Sequence, residues 1–85
     1  MKSFRASVID IREESRTTAR VRWQLLLDRT EFVEGQLGTI HAVARSGAKL
    51  TFPVLELQRD SSGELWHIVE KPLAAGTEVT CVVEG

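Results

Sequence analysis

Ala19-Arg20-Val21-Arg22-Trp23-Gln24-Leu25-Leu26-Leu27 is the stretch on which the fold turns. Ala19, Val21, Trp23, Leu25 and Leu27 are apolar, Arg20, Arg22 and Gln24 between them are polar, and Leu26 alone breaks the alternation. A period of two in a run with β-branched and aromatic members predicts a half-buried strand. Wound as a helix, the same residues would scatter their apolar groups around the whole circumference.

Toward the N-terminus, residues 4–11 predict a second strand. Phe4, Ala6 and Val8 take one face and Arg5, Ser7 and Asp10 the other. Ile9 and Ile11 fall on the wrong parity. A bulge near Val8–Ile9 returns both to the core side; the alternative is a strand covered on both faces. Polar residues 13–17 then connect this strand to the next.

Toward the C-terminus, residues 28–36 predict a loop that crosses an end of the barrel or sandwich, either irregular throughout or with one short helical turn over 30–34 capped by Thr30. Gly35 and Gly38 stop any longer helix. Residues 37–45 and 48–58 predict a hairpin turned at Ser46-Gly47. Ile40, Ala42 and Ala44 point in, while Thr39, His41, Val43 and Arg45 point out. On the second arm Leu50 and Phe52 point in before Pro53, and Leu55 and Leu57 after it, so a proline-marked bulge lies between. Residues 59–63 form a turn cluster. Residues 64–70 are apolar on both faces, as in a central strand. A loop over 71–76 leads to a last strand, 77–84, with Val79, Cys81 and Val83 inward.

The fold class expected is all-β: a small antiparallel β-barrel or sandwich of about six strands, built from meander-type hairpins. The 85 residues make a single small β domain, 1–85. With 42% hydrophobic and 27% charged residues the chain can bury a core, which argues against disorder. Cys81 is the single cysteine, so no intramolecular disulfide forms, and a reducing, cytoplasmic setting is expected. No apolar run approaches the roughly 18–20 residues of a membrane span, so no membrane is expected.

Catalytic chemistry finds little footing. His41, His67 and Cys81 are the metal-ligand types present, with Glu56 or Glu70 as a fourth, but they sit on separate strands without paired-ligand spacing. The serines at 15, 46, 61 and 62 occupy turns, where local backbone hydrogen bonding explains them. Nucleophile-elbow, Walker and dinucleotide-binding glycine patterns are missing, and Gly35-Gln36-Leu37-Gly38 reads as a turn before a strand. Glu13 with Glu14, or Glu31 with Glu34, are carboxylates in solvated loops, poor acids at neutral pH. The expectation is no enzyme, no cofactor and no metal.

Binding is better supported. Residues 1–22 carry six basic groups against three acidic, and residues 59–85 two against five, so a net charge of −1 hides a basic start and an acidic end. Arg20, Arg22 and Gln24 line one strand face about 7 Å apart. Arg12 and Arg16 lie in reach of them, and Trp66, with Phe32, is an aromatic not committed to the core. Arg12, Arg16, Arg20, Arg22, Gln24 and Trp66 are therefore the candidate interaction residues. Leu26, Val43, Val82 and one of Leu65 or Trp66 are left outside by the alternation and mark a contact patch if they cluster. The function expected is a non-enzymatic protein-interaction or assembly module with a protein partner or self-association. A nucleic-acid-associated barrel using Arg20 and Arg22 is the runner-up, disfavoured by a pI near 6.1 and few aromatics.

Gly38-Thr39-Ile40 followed by Ser46-Gly47, and Ala75-Gly76-Thr77-Glu78-Val79, resemble segments of the β-barrel modules of translation elongation factors. The resemblance implies a small barrel. With no nucleotide loop in the chain it implies no GTPase.

Overall fold

The computed structural model describes residues 2–33, 35–43 and 46–84, so the expected directions of Ala44 and Arg45 and the Glu34 end of the helical turn lie outside the described residues. They form seven strands: β1 (Lys2–Arg16), β2 (Val21–Leu27), β3 (Leu37–Val43), β4 (Lys49–Val54), β5 (Glu56–Arg59), β6 (Leu65–Val69) and β7 (Glu78–Glu84). All pairings are antiparallel, in the order β4-β3-β7-β1-β2-β6-β5. The sheet curls into a half-barrel around one apolar core that includes Phe4, Val8, Leu25, Ile40, Phe52, Val69 and Cys81. The two outermost strands, β4 and β5, are successive pieces of one extended stretch, parted only at Leu55. The Leu55 amide donates to the Ile68 carbonyl at 2.8 Å, so the chain itself bridges the two ends of the strand order.

The expected all-β class holds, and the seventh strand comes from that break. Pro53 lies on β4, an outermost strand, where a missing amide hydrogen costs nothing. Val54 keeps the inward parity of Phe52, so the break falls one residue later than the expected bulge. Leu55 is then exposed, and Leu57 is the residue that turns back toward the core.

A second corner lies on β1. Its first half pairs with β7, from Lys2 to Ser7, and its second half with β2, from Val8 on. The register shifts between Val8 and Asp10, so a bulge sits where Ile9 and Ile11 leave the alternation. It returns only Ile11 to the core; Ile9 is the extra residue and is exposed. Residues 13–16 continue the strand rather than connecting it. The turn is made by residues 17–20, where the Thr17 hydroxyl accepts from the Arg20 amide at 3.0 Å. Ala19 is therefore exposed, and the inward set of β2 begins at Val21.

Three further expectations change. Residues 30–33 are irregular, not helical: the Thr30 hydroxyl accepts from the Phe32 amide at 3.1 Å, a local turn that carries Phe32 into the core. Leu50 keeps inward parity, paired with Ala42, but lines the open groove at that end of the sheet and is 38% exposed. The meander holds for β3-β4 and β5-β6, but β7 does not follow β6 in the sheet; it inserts between β3 and β1. Gly47 takes φ +88° in the β3–β4 turn, the conformation expected of Ser46-Gly47.

Candidate interaction surface

Directly paired residues share a face, so the register sorts the outer surface into two halves. On the β1-β2-β6-β5 half, Asp10, Leu26, Trp66 and Gln58 make one row, and Arg12, Gln24, Ile68 and Glu56 the next. Ser15 and Arg22 begin a third. Four of the six candidate residues, Arg12, Arg22, Gln24 and Trp66, thus meet on one face. Arg16 and Arg20 stand at the tip of the β1–β2 hairpin.

This face is occupied by its own side chains. The Arg12 guanidinium lies 3.9 Å from the centre of the Trp66 ring, a cation–π stack. Arg12 Nε donates to Gln24 Oε1 at 2.6 Å, and Gln24 Nε2 donates to Gln58 Oε1 at 2.7 Å. Arg22 reaches Glu56 at 2.8 Å and Glu14 at 3.6 Å, its Nε being held near Glu14 without a hydrogen bond. Arg16 pairs with Glu13 at 2.8 Å, which raises the arginine pKa, and Arg20 lies 3.7 Å from Glu70. Trp66 Nε1 donates to Asp60 Oδ2 at 2.9 Å; that bond, then the Glu64 amide, holds the Asp60 carboxyl below its usual range. Asp60 so ties the β5–β6 turn to the ring. Trp66 is only 3% exposed, and Phe32 is equally buried. Neither aromatic is free to be recruited, contrary to expectation: the alternation shows on which face Trp66 lies, not that Arg12 stacks over it and Asp60 ties it down.

The β4-β3-β7 half, with the start of β1, is different. Thr51, His41 and Thr80 form its central row, which ends at Arg5 on β1, and Pro53, Thr39, Val82 and Ser3 form the next. Val43 with Lys49 and Glu78 with Ser7 lie at one end, and Leu37 with Glu84 at the other. Few bonds tie these side chains together: His41 Nδ1 lies 3.1 Å from the Thr51 hydroxyl, and Thr39 donates to Glu84 at 3.4 Å. Val43 is 60% exposed and Leu37 53%. Val43 and Val82, two of the four outward apolar positions, share this half, whereas Leu26 and Trp66 lie on the other and Leu65 is in the core. An open groove of about 1120 Å³ runs from the Val43 end toward the β6–β7 connection, with Arg5, His41, Leu50, Leu73 and Glu78 in its walls.

The groups with chemical potential are dispersed. His41 faces outward, while Cys81 and His67 lie inside. Among the described residues, no three histidine, cysteine or carboxylate side chains gather as metal ligands. Burial pushes the Cys81 thiol up to about 12, so it stays protonated and a weak nucleophile. Among the described residues, no helix is long and apolar enough to cross a membrane.

The sequence signal for the open half was the outward set Thr39, His41, Thr51, Thr80 and Val82, β-branched and uncharged but for one histidine. Its strand-to-strand alignment needed the insertion of β7 beside β3. Set against family models, curated proteins and solved structures, including any that would carry the elongation-factor likeness, the chain matches none.

Proposed function

We propose that this chain is a non-enzymatic protein-interaction module, and that it meets its partner through the outer face of β4-β3-β7 and the first half of β1. The carrying observation is the arrangement of that face. Its centre, from Thr39 and Thr51 to Thr80 and Val82, has no lysine, arginine, aspartate or glutamate, while Arg5, Lys49, Glu78 and Glu84 stand around it. An uncharged centre within a charged rim is how protein interfaces are built. The exposed aliphatics Val43 and Leu37 at its ends add area that gains from leaving water.

The nucleic-acid reading through Arg20 and Arg22 has less to stand on, because Arg22 is engaged by two carboxylates and the nearby tryptophan is covered. A lone buried thiol suits a reducing compartment, and the cytoplasm is the setting we infer.

The test is a paired retention experiment. Immobilised chain should retain a defined protein, or a second copy of itself. His41→Glu, which sets a charge in the middle of the face, should lose it, while Arg22→Ala should keep it. Retention lost by Arg22→Ala and kept by His41→Glu would overturn the assignment, as would a strict monomer that retains nothing.

A further inference from the structure

His67 is the one charged or polar residue buried among those described, at 0% exposure. It sits on the inner side of β6, opposite Leu25 of β2 and Leu57 of β5. Its Nδ1 lies 3.1 Å from the Leu25 carbonyl oxygen, which can only accept, so Nδ1 carries the hydrogen. In the neutral ring Nε2 is then an acceptor, and the Thr30 hydroxyl, 2.9 Å away, donates to it. That hydroxyl oxygen in turn accepts from the Phe32 amide. Phe32 stands edge-on to the imidazole, 5.3 Å between centres, and edge-on to Phe4 at 5.7 Å. Beneath it Gly38 leaves the space: a Cβ there would collide with the Val82 carbonyl oxygen and come within 2.7 Å of Phe32 Cε1. Residues 28–33 thus lie across the core as a strap, with Phe32 as the inserted group and His67 as the polar anchor.

We propose that this strap is a proton-sensitive latch, shut while His67 is neutral and released when His67 takes up a proton. Protonation puts a hydrogen on Nε2, facing the Thr30 O–H that donates to it. The hydroxyl must turn, and a positive charge is left among Leu25, Leu57 and Phe32. Among the described residues, none of the elements around the ring brings it a counter-charge. On the strap, Asp28 accepts from the Ser7 amide, Arg29 pairs with Glu31, and Glu31 also meets Lys2. On β5, Glu56 pairs with Arg22, and Arg59 donates to the Gly63 carbonyl. Burial accordingly lowers the imidazole pKa, only partly opposed by the Leu25 bond.

The sign follows from linkage. Once the strap lifts, His67 titrates near its ordinary value of about 6.5; while it is shut, the ring resists the proton. The shut form is thus fully favoured above that pH, and opening gains up to about tenfold per pH unit below it, until the depressed value of the shut form is reached. The strap belongs to none of the seven strands, and segments outside the sheet ladders are where such local opening occurs without global unfolding.

The experiment is amide hydrogen exchange on the whole chain between about pH 7.5 and about pH 5, corrected for intrinsic exchange chemistry. The Phe32 amide should lose protection by up to about tenfold per unit below pH 6.5, while the Ile40 and Cys81 amides in the sheet keep theirs. His67→Gln, which cannot take up the proton, should flatten the Phe32 profile. Should that variant not fold, Thr30→Ala should lower Phe32 protection about fivefold at neutral pH, the worth of one hydrogen bond, and leave Ile40 unchanged. Phe32 protection that is constant across the range would overturn the latch. So would Phe32, Ile40 and Cys81 losing protection together, which is global unfolding.

Discussion

The two outer halves of this sheet solve the same problem in opposite ways. On β1-β2-β6-β5 the outward residues are long, and they fold down onto one another. Arg12 stacks on Trp66, Gln24 and Gln58 join hands, and Arg22 bridges two carboxylates. Outward-facing Ile68 is left with no exposure. On β4-β3-β7 the outward residues are mostly short and β-branched, and cannot reach across to cover their neighbours. A covered surface has spent its hydrogen-bonding and apolar capacity within the molecule. An uncovered one keeps that capacity for a second molecule. The number of arginines is thus a poor guide to which face stays open; the reach of the side chains is a better one, and our proposal for the contact face rests on it.

Substitutions can break that contrast, and the largest effect should come from the covered half. Trp66→Ala removes a buried ring together with the partners of Arg12 and Asp60, and should cost about 3–5 kcal/mol in urea unfolding. A loss below about 1 kcal/mol would mean the ring is peripheral. Gln24→Ala cuts the middle of the Arg12–Gln24–Gln58 chain and should cost about 1 kcal/mol. Its counterpart on the open half, Thr51→Ala, should fall within about 0.5 kcal/mol of the parent, since only one exposed contact with His41 is lost. Equal costs for these last two would erase the distinction between the halves.

Most of the architecture was legible from parity alone. Phe4, Ala6 and Val8, then Ile40 and Ala42, then Val79, Cys81 and Val83 all lie inside as their alternation requires. Even the two corners left traces, in the parity slips at Ile9 and around Pro53. What alternation does not encode is which strand neighbours which. The insertion of β7 between β3 and β1 depends on long-range closure, and it is this insertion that brings Thr80 beside His41. Four of the six candidate residues, Arg12, Arg22, Gln24 and Trp66, share one face, whereas the turn at 17–20 takes Arg20 off it, and the neutralisation of the face was not legible. Glu14 and Glu56 come to Arg22 from different strands, one through a register shift between Glu13 and Ser15, the other across β6. The segment at 30–33 is the loop that its residues predict, and only the optional helical turn fails, for a local reason: Thr30 as helix cap and Thr30 as turn former begin alike, and the core's demand for Phe32 decides between them.

The most direct measurement is an amide and methyl chemical-shift map of the chain with and without the retained partner, or across a dilution series if the partner is a second copy. Perturbations centred on Thr39, His41, Thr51, Thr80, Val82 and Val43, with Gln24, Gln58 and Trp66 silent, are the result expected. A map centred on Arg12, Arg22, Gln24 and Trp66 would contradict the account, and would return the arginine-lined face to first place.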